Sequence, residues 1–173
     1  IRCGSDLKAP LREAGFTGDY CQHDYPYLIG PVREGPDSLE ERARFIAESY
    51  AGDFPVPLCH ENVLVGLENQ ERELLESAAY ERVVIWSEHD CFDQLVLVRL
   101  LAHYATHPRP RRLELINVAG HPGIERFLGL GQLPAEALPG VWDSRAEATR
   151  AQLALGLDAW HALASPDPRR LAA

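Results

Sequence analysis

The stretch Arg82–Cys91, with the sequence RVVIWSEHDC, decides the fold of this protein. Its apolar run, residues 83–86, is short and continuous, which is typical of a strand covered on both faces. The polar side chains of Glu88, His89 and Asp90 follow directly, and a helix-forming segment comes after them. The stretch therefore predicts a buried strand that ends in acidic and imidazole groups and leads into a helix.

Further strands are predicted on both sides of this stretch, at residues 1–3, 20–23 and 113–118. Predicted helices alternate with the strands, at residues 7–14, 38–50, 64–78, 91–104 and 149–163. Such alternation is typical of an α/β fold in which helices flank a largely parallel sheet. We therefore predict a single α/β domain over residues 1–173. It should be three-layered and Rossmann-like, with at least three parallel strands, the strand of Val84 near the centre, and a helical C-terminal third.

The composition excludes several classes of partner. Lys and Arg total 17 against 26 Asp and Glu, a net charge of −9. An acidic chain lacks the basic patches that bind nucleic acid and anionic membranes, and no apolar run approaches the ~20 residues that span a bilayer. The four cysteines are 18, 38 and 32 residues apart, too far for a zinc or redox motif. We expect a cytoplasmic protein that binds a small molecule, neither nucleic acid nor membrane, and homo-oligomer formation stays open.

Polar side chains follow every predicted strand. Because the carboxyl ends of parallel strands meet at one edge of a sheet, we expect these groups to share a crevice. The groups after the strands are Ser5, Asp6, His23, Asp24, Glu88, His89, Asp90 and His121, with Asp93 and Gln94 in the first turn of the following helix. Carboxylates and imidazoles crowded in one crevice favour perturbed pKa values or a bound cation.

The candidate catalytic residues are Glu88, His89 and Asp90. A divalent cation held by Asp6, Asp24 and Asp90 would polarise an oxygen or activate water. His89 would act as the general base or acid, with Glu88 as its orienting partner or a further ligand. Three adjacent residues of a strand cannot all face one point, so we expect Glu88 to have the supporting role.

Four residues are assigned to substrate binding: Ser5, Asp93, Gln94 and Arg126. Arg126 is also expected to pair with one of the strand-end carboxylates, while Phe127 packs inward, because several acids in one crevice need a positive partner. Together these residues predict an enzyme of the hydrolase or transferase type that acts on a small polar or phosphorylated molecule.

The same acidic residues also have structural explanations. Asp6 can cap the helix that follows it, and Asp90 and Asp93 have the N-cap and third-position spacing of the next helix. Three arginines are available as salt-bridge partners: Arg44, Arg99 and Arg126. The protein would then be a non-catalytic ligand-binding or protein-interaction module. Both interpretations stay open at this point.

Several segments together resemble a known family. They are CGSD at 3–6, Asp24 with Gly30-Pro31, WSEHDCFDQL at 86–95, PGIERF and GLGQL within 122–133, and AQLAL at 151–155. On these segments nearly the whole chain resembles the bacterial family known as domain of unknown function DUF 1835. The resemblance implies a small bacterial intracellular domain and brings no activity with it. The chain departs from the family pattern at Ser87 and at His121, where other residues are more usual.

Overall fold

The computed structural model describes residues 1–52 and 58–172, and this part of the chain is mixed α/β. Its helices are α1 (Lys8–Glu13), α2 (Ser38–Ser49), α3 (His60–Glu76), α4 (Cys91–Thr106), α5 (Leu138–Asp143) and α6 (Arg150–Ala164). Its strands are β1 (Arg82–Glu88), β2 (Arg112–Val118) and β3 (Ala146–Glu147). Short 3-10 turns lie at Ser77–Ala79, Leu130–Gln132, Ala135–Ala137 and Pro168–Ala172.

The sheet has the order β1-β2-β3. Strands β1 and β2 are parallel, with Arg82 opposite Arg112 and Glu88 opposite Val118. Strand β3 is antiparallel to β2. The prediction of at least three parallel strands is therefore wrong for the described strands, because the third strand of the sheet comes from the segment after α5 and runs in the opposite direction.

The two strands predicted near the start of the chain are reduced to single bridging residues. Arg2 bridges Trp86 on the free side of β1 and also bridges Gln22, both in the parallel direction. Gly4 has a φ of 83° and turns the chain two residues after the Arg2 bridge. Strand β1 thus lies between β2 and the Arg2 bridge, and the parallel direction places the end of the Arg2 segment beside the end of β1.

Strand β1 is buried on both faces, as its continuous apolar run predicts. Val83 and Ile85 pack in one cluster with side chains of α4 and α6. Val84 and Trp86 pack in a second cluster with side chains of α5 and of the segment before α1. Because successive side chains of a strand point to opposite faces, a strand covered on both sides needs apolar residues at consecutive positions.

Helix α6 packs against α4, which places α6 on the face of the sheet that α4 covers. A capping box begins α6, in which the N–H of Gln152 donates to the Thr149 hydroxyl and the N–H of Thr149 donates to the Gln152 side chain. Gly156 permits the close approach, since a Cβ there would lie 2.3 Å from the Cβ of Leu101. No helix in residues 1–52 and 58–172 is long and apolar enough to cross a membrane.

Candidate functional site

A buried arginine lies at the carboxyl end of β1. The guanidinium of Arg2 is 3.0 Å from carboxylate oxygens of Asp6 and of Glu88, and it also donates to Asp93. Arg2 is only 3% exposed. Burial alone would lower the pKa of Arg2, but the hydrogen bond with Asp6 and the charges of the carboxylates raise it above the ordinary value. Arg2 therefore stays charged and draws three carboxylates from separate segments to one point.

Glu88 is held at both of its carboxylate oxygens. One of its oxygens accepts from Arg2, and the other accepts the backbone N–H of Leu130. Gly129 lies against the same carboxylate, because a Cβ at this position would be 2.6 Å from a Glu88 oxygen. Glu88 thus connects β1 to the 3-10 turn at Leu130–Gln132.

Asp90 caps α4, as the structural interpretation of the sequence predicts. Its backbone is extended, and its side chain accepts the N–H of Asp93 at 2.9 Å. Asp93 in turn accepts the backbone N–H of Glu88 at 2.9 Å. These bonds fold the turn between β1 and α4 back on itself. Asp6, by contrast, makes no capping hydrogen bond with α1 and bonds to Arg2 instead.

Asp93 has a perturbed proton affinity. Burial raises the pKa of Asp93 to about 6, although the charge of Arg2 and the hydrogen bond from Glu88 act in the opposite direction. The residue is 4% exposed. A carboxyl that titrates so close to neutral pH is characteristic of functional sites, and it also occurs in structural ion networks.

Gln94 connects the ends of β1 and β2. Its side-chain amide donates to the backbone carbonyl of Glu88 at 2.6 Å and to the side chain of Asn117 at 3.1 Å. Asn117 is exposed and lies one residue before the end of β2. The pair presents amide groups beside the Arg2 network, where they can donate to or accept from a polar molecule.

His89 and Asp90 are the accessible side chains of the turn. His89 is exposed and Asp90 is half-buried, whereas their neighbours Glu88 and Asp93 are buried. The His89 ring lies 6.0 Å from the ring of Phe127, which itself packs inward against the second core cluster. The inward packing predicted for Phe127 is therefore present, and it places an aromatic wall beside the exposed imidazole.

Asp24 and Arg126 do not join the group that the sequence predicts. Asp24 accepts hydrogen bonds from Gln22 at 2.5 Å and from Gln70 of α3 at 2.8 Å. Arg126 is exposed and forms no salt bridge with any residue of the described ranges, so the pairing predicted for it with a strand-end carboxylate is wrong. The guanidinium that pairs with these acids belongs to Arg2, because Arg2 lies in the bridge beside β1.

Ser5 is exposed beside this edge. Its backbone carbonyl accepts the N–H of Lys8, which forms the turn into α1. The Ser5 side chain is open to solvent next to Asp6, where a bound molecule can contact it.

Three carboxylates at this edge lie close enough to share a cation. One oxygen each of Glu88, Asp90 and Asp93 lies within 4.8 Å of the other two. Within residues 1–52 and 58–172, this is the group of acidic, His or Cys side chains whose ligand atoms are close enough to share a metal ion. The set Asp6, Asp24 and Asp90, assigned to a cation from the sequence, does not form such a group. With Asp6 included, the carboxylates at the edge exceed the Arg2 charge by three when all are ionised.

Three contributors to the site are missed by sequence reasoning: Arg2, Asn117 and Gly129. Arg2 falls inside a predicted strand, and only the parallel pairing with β1 shows that its side chain meets the acids. Asn117 had a usable signal, since it lies near the end of a predicted strand just as Glu88 does. Comparison of the chain with protein-family models, with curated proteins and with solved structures found no match.

Proposed function

We propose that the protein is an enzyme of the hydrolase or transferase type that acts on a small polar molecule at the carboxyl edge of the sheet. His89 acts as the general acid or base, and Asp90 provides the negative charge that a bound cation or a proton-transfer partner requires. The Gln94–Asn117 pair and Ser5 orient the substrate. Glu88, Asp93 and Arg2 position the turn. Imidazole is the side chain best suited to proton transfer near neutral pH, and a general acid or base of this kind typically contributes about 10²–10⁴-fold in rate.

The observation that supports this proposal is the contrast between a fixed strand end and an open imidazole. Glu88 and Asp93 are buried and paired with Arg2, while His89 between them is exposed. A buried ion network holds its neighbours in one geometry, which is the preorganisation that a reacting group requires. A histidine on an ordinary surface loop has no such support.

The charge at the edge limits the substrate. Three carboxylates pair with one guanidinium and a fourth, Asp90, lies in the same turn, so a free anion is repelled from the site. A neutral molecule, or a phosphorylated molecule bound together with a divalent cation, fits this potential. The cation would be held by oxygens of Glu88, Asp90 and Asp93, of which Asp90 is the most accessible.

We propose further that the fold is the three-layer, Rossmann-like arrangement with a helical C-terminal third, that the chain is related to DUF 1835, and that the protein acts in the cytoplasm. The two apolar clusters on opposite faces of β1 support the layered arrangement. The acidic composition and the segment WSEHDCFDQL support the other two proposals.

Hydrolysis of chromogenic substrates tests the enzymatic proposal. We expect the wild type to cleave para-nitrophenyl acetate or para-nitrophenyl phosphate, measured with Mg²⁺ or Mn²⁺ and after chelation. His89→Asn should lose about 100-fold in rate without a change in unfolding temperature. His121→Asn, a half-buried histidine after β2, is the matched control and should keep the wild-type rate. Equal rates for His89→Asn and the wild type would contradict the proposal.

The second candidate function is a non-catalytic ligand-binding or protein-interaction module. Its support is that the two buried carboxylates, Glu88 and Asp93, already accept hydrogen bonds from Arg2 and from backbone N–H groups. Such pairing is the usual state of buried carboxylates in a structural network. Absence of hydrolysis in every condition above would favour this second function.

A further inference from the structure

A cavity of about 400 Å³ lies at the end of α4 that is far from the carboxyl edge. The walls come from residues 25–35 and from α2, α3, α4 and α6. His103 of α4 lines it, ten residues after Asp93, which corresponds to about 15 Å along the helix axis. The volume falls in the range of about 300–1,000 Å³ that is typical of small-molecule sites. The cavity is therefore separate from the site described above.

Arg42 gives this cavity a buried positive charge. The residue is 4% exposed, and its guanidinium donates to the backbone carbonyls of Ile29 at 2.6 Å, of Pro31 at 3.1 Å and of Pro26. Its Nε has no hydrogen-bond partner, and within residues 1–52 and 58–172 no carboxylate pairs with it. The Tyr27 and Phe45 rings also lie 5.7 and 5.5 Å from its Cζ, but none of these partners is an anion, so the buried charge favours a negatively charged ligand.

Two further buried polar groups in the cavity wall lack partners. The Tyr25 hydroxyl and the Nε2 of His103 make no hydrogen bond within the described part of the chain, and the two residues are 8% and 2% exposed. Burial lowers the pKa of His103 to about 4, so its ring is neutral at pH 7 and one ring nitrogen can donate. Buried polar atoms are almost always hydrogen-bonded in native proteins, so these two groups are available to a molecule in the cavity.

The remaining wall is aromatic and apolar. Tyr27 and Trp160 lie edge to face with ring centroids 5.2 Å apart. Arg99 lies over the Trp160 ring and pairs with Glu71 at 2.5 Å. Arginine is well suited to binding carboxylate and phosphate groups, and aromatic rings bind planar or apolar groups.

We propose that this cavity binds a small organic anion, whose carboxylate or phosphate group lies against Arg42, Tyr25 and His103 and whose apolar body packs against Tyr27 and Trp160. The three arginines in the wall outnumber its two glutamates, in a chain whose net charge is −9. The carboxyl edge, with its excess of carboxylates, repels the same ligand. The cavity site is thus independent of the proposed catalytic site.

Calorimetric titration of the wild type with four probes tests this proposal: benzoate, phenyl phosphate, inorganic phosphate and benzyl alcohol. We expect benzoate or phenyl phosphate to bind and benzyl alcohol, which has the ring but no charge, not to bind. The tighter-binding of the two aromatic anions shows whether the cavity prefers a carboxylate or a phosphate group in its ligand. Binding of inorganic phosphate as tight as that of phenyl phosphate would overturn the organic part of the proposal.

Tyr25→Phe removes one hydroxyl and little else, so it is the variant of choice, whereas Arg42→Gln also breaks contacts that hold residues 26–31. We expect Tyr25→Phe to weaken the binding of the preferred anion about tenfold. Tyr80→Phe, at an exposed tyrosine outside the cavity, is the matched control and should bind as the wild type does. Equal affinities for Tyr25→Phe and the wild type, binding of benzyl alcohol, or no binding of either aromatic anion would overturn the proposal.

Discussion

The guanidinium of Arg2 lies 3.0 Å from a carboxylate oxygen of Glu88, although the two residues are 86 positions apart in the sequence. This ion pair joins the first segment of the chain to the end of β1. Because both partners are buried, it fixes the turn that carries His89 and Asp90. The geometry of the candidate site therefore depends on a residue that does no chemistry in it.

Replacement of the buried arginine should strongly destabilise the fold. Arg2→Met keeps much of the side-chain volume but leaves three carboxylates without their cation. We expect a loss of about 3–5 kcal/mol in the free energy of unfolding, measured by urea denaturation. Arg12→Met, at an exposed arginine of α1, is the control and should change stability by less than about 0.5 kcal/mol. Similar losses in the two variants would show that the Arg2 network does not hold the strand end.

A second prediction concerns the close approach of Gly129 to Glu88. A Cβ at Gly129 would lie 2.6 Å from a carboxylate oxygen that Arg2 and Leu130 hold in place. Gly129→Ala should therefore cost about 1–3 kcal/mol in urea denaturation. Gly120→Ala, where nothing lies within 4 Å of the added Cβ, should leave stability almost unchanged. A Gly129→Ala variant as stable as Gly120→Ala would contradict this packing.

The raised pKa of Asp93 should appear in the pH dependence of stability. Folded Asp93 takes up its proton near pH 6, whereas the unfolded chain does so near pH 3.8, so the folded state binds more protons between these values. This residue therefore makes the wild type less stable as the pH rises from about 4 to 6, by at most ~1.4 kcal/mol per pH unit.

Asp93→Asn isolates this contribution. The stability difference between the wild type and Asp93→Asn should shift in favour of the variant as the pH rises from 4 to 6 and stay constant above pH 7. Asp158→Asn, at an exposed position of α6, should give a flat difference across the same range. A flat difference for Asp93→Asn as well would mean that burial does not perturb this carboxyl.

His23 should make the protein less stable as the pH falls, which is opposite to the effect of Asp93. The ring is fully buried and neither nitrogen has a hydrogen-bond partner in the described ranges, and burial, with the charge of Arg99, lowers the pKa of His23 to about 3. Between about pH 6.5 and pH 3 only the unfolded chain binds this proton, so stability is lost as the pH falls. His23→Gln cannot titrate and should lose less stability between pH 7 and pH 5, measured by urea denaturation. His121→Gln is the control, and an equal effect of both variants would contradict the assignment to His23.

Local features of the fold were predictable from the sequence. The apolar run before Glu88 predicts β1, and the capping role that the sequence offers for Asp90 as one of two interpretations is present, because a helix start depends on nearby residues.

Contacts between distant segments were not predictable in the same way. The arginine that pairs with the acids is Arg2 rather than Arg126, since the choice depends on which segment pairs with β1. Asp24 follows a bridging residue as expected, but α3 packs nearby and Gln70 binds its carboxylate. A one-dimensional pattern contains neither the pairing partner of β1 nor the position of α3.

The most direct test of the central claim, that the turn after β1 is the functional site, is the activity and stability of Asp90→Asn beside those of Asp24→Asn. Asparagine is also a good N-cap, so the cap should lose at most about 1 kcal/mol. The measurements are hydrolysis of the two para-nitrophenyl substrates and the unfolding temperature, each with and without Mn²⁺, because a bound cation raises the unfolding temperature by mass action.

We predict that Asp90→Asn unfolds within about 2–4 °C of the wild type, loses hydrolysis and loses any stabilisation by Mn²⁺. Asp24→Asn, whose carboxylate binds Gln22 and Gln70, should keep the wild-type unfolding temperature, hydrolysis and response to Mn²⁺. Wild-type hydrolysis by Asp90→Asn, together with an unfolding temperature several degrees lower and no effect of Mn²⁺ on the wild type, would show that Asp90 is only a helix cap and would contradict the claim.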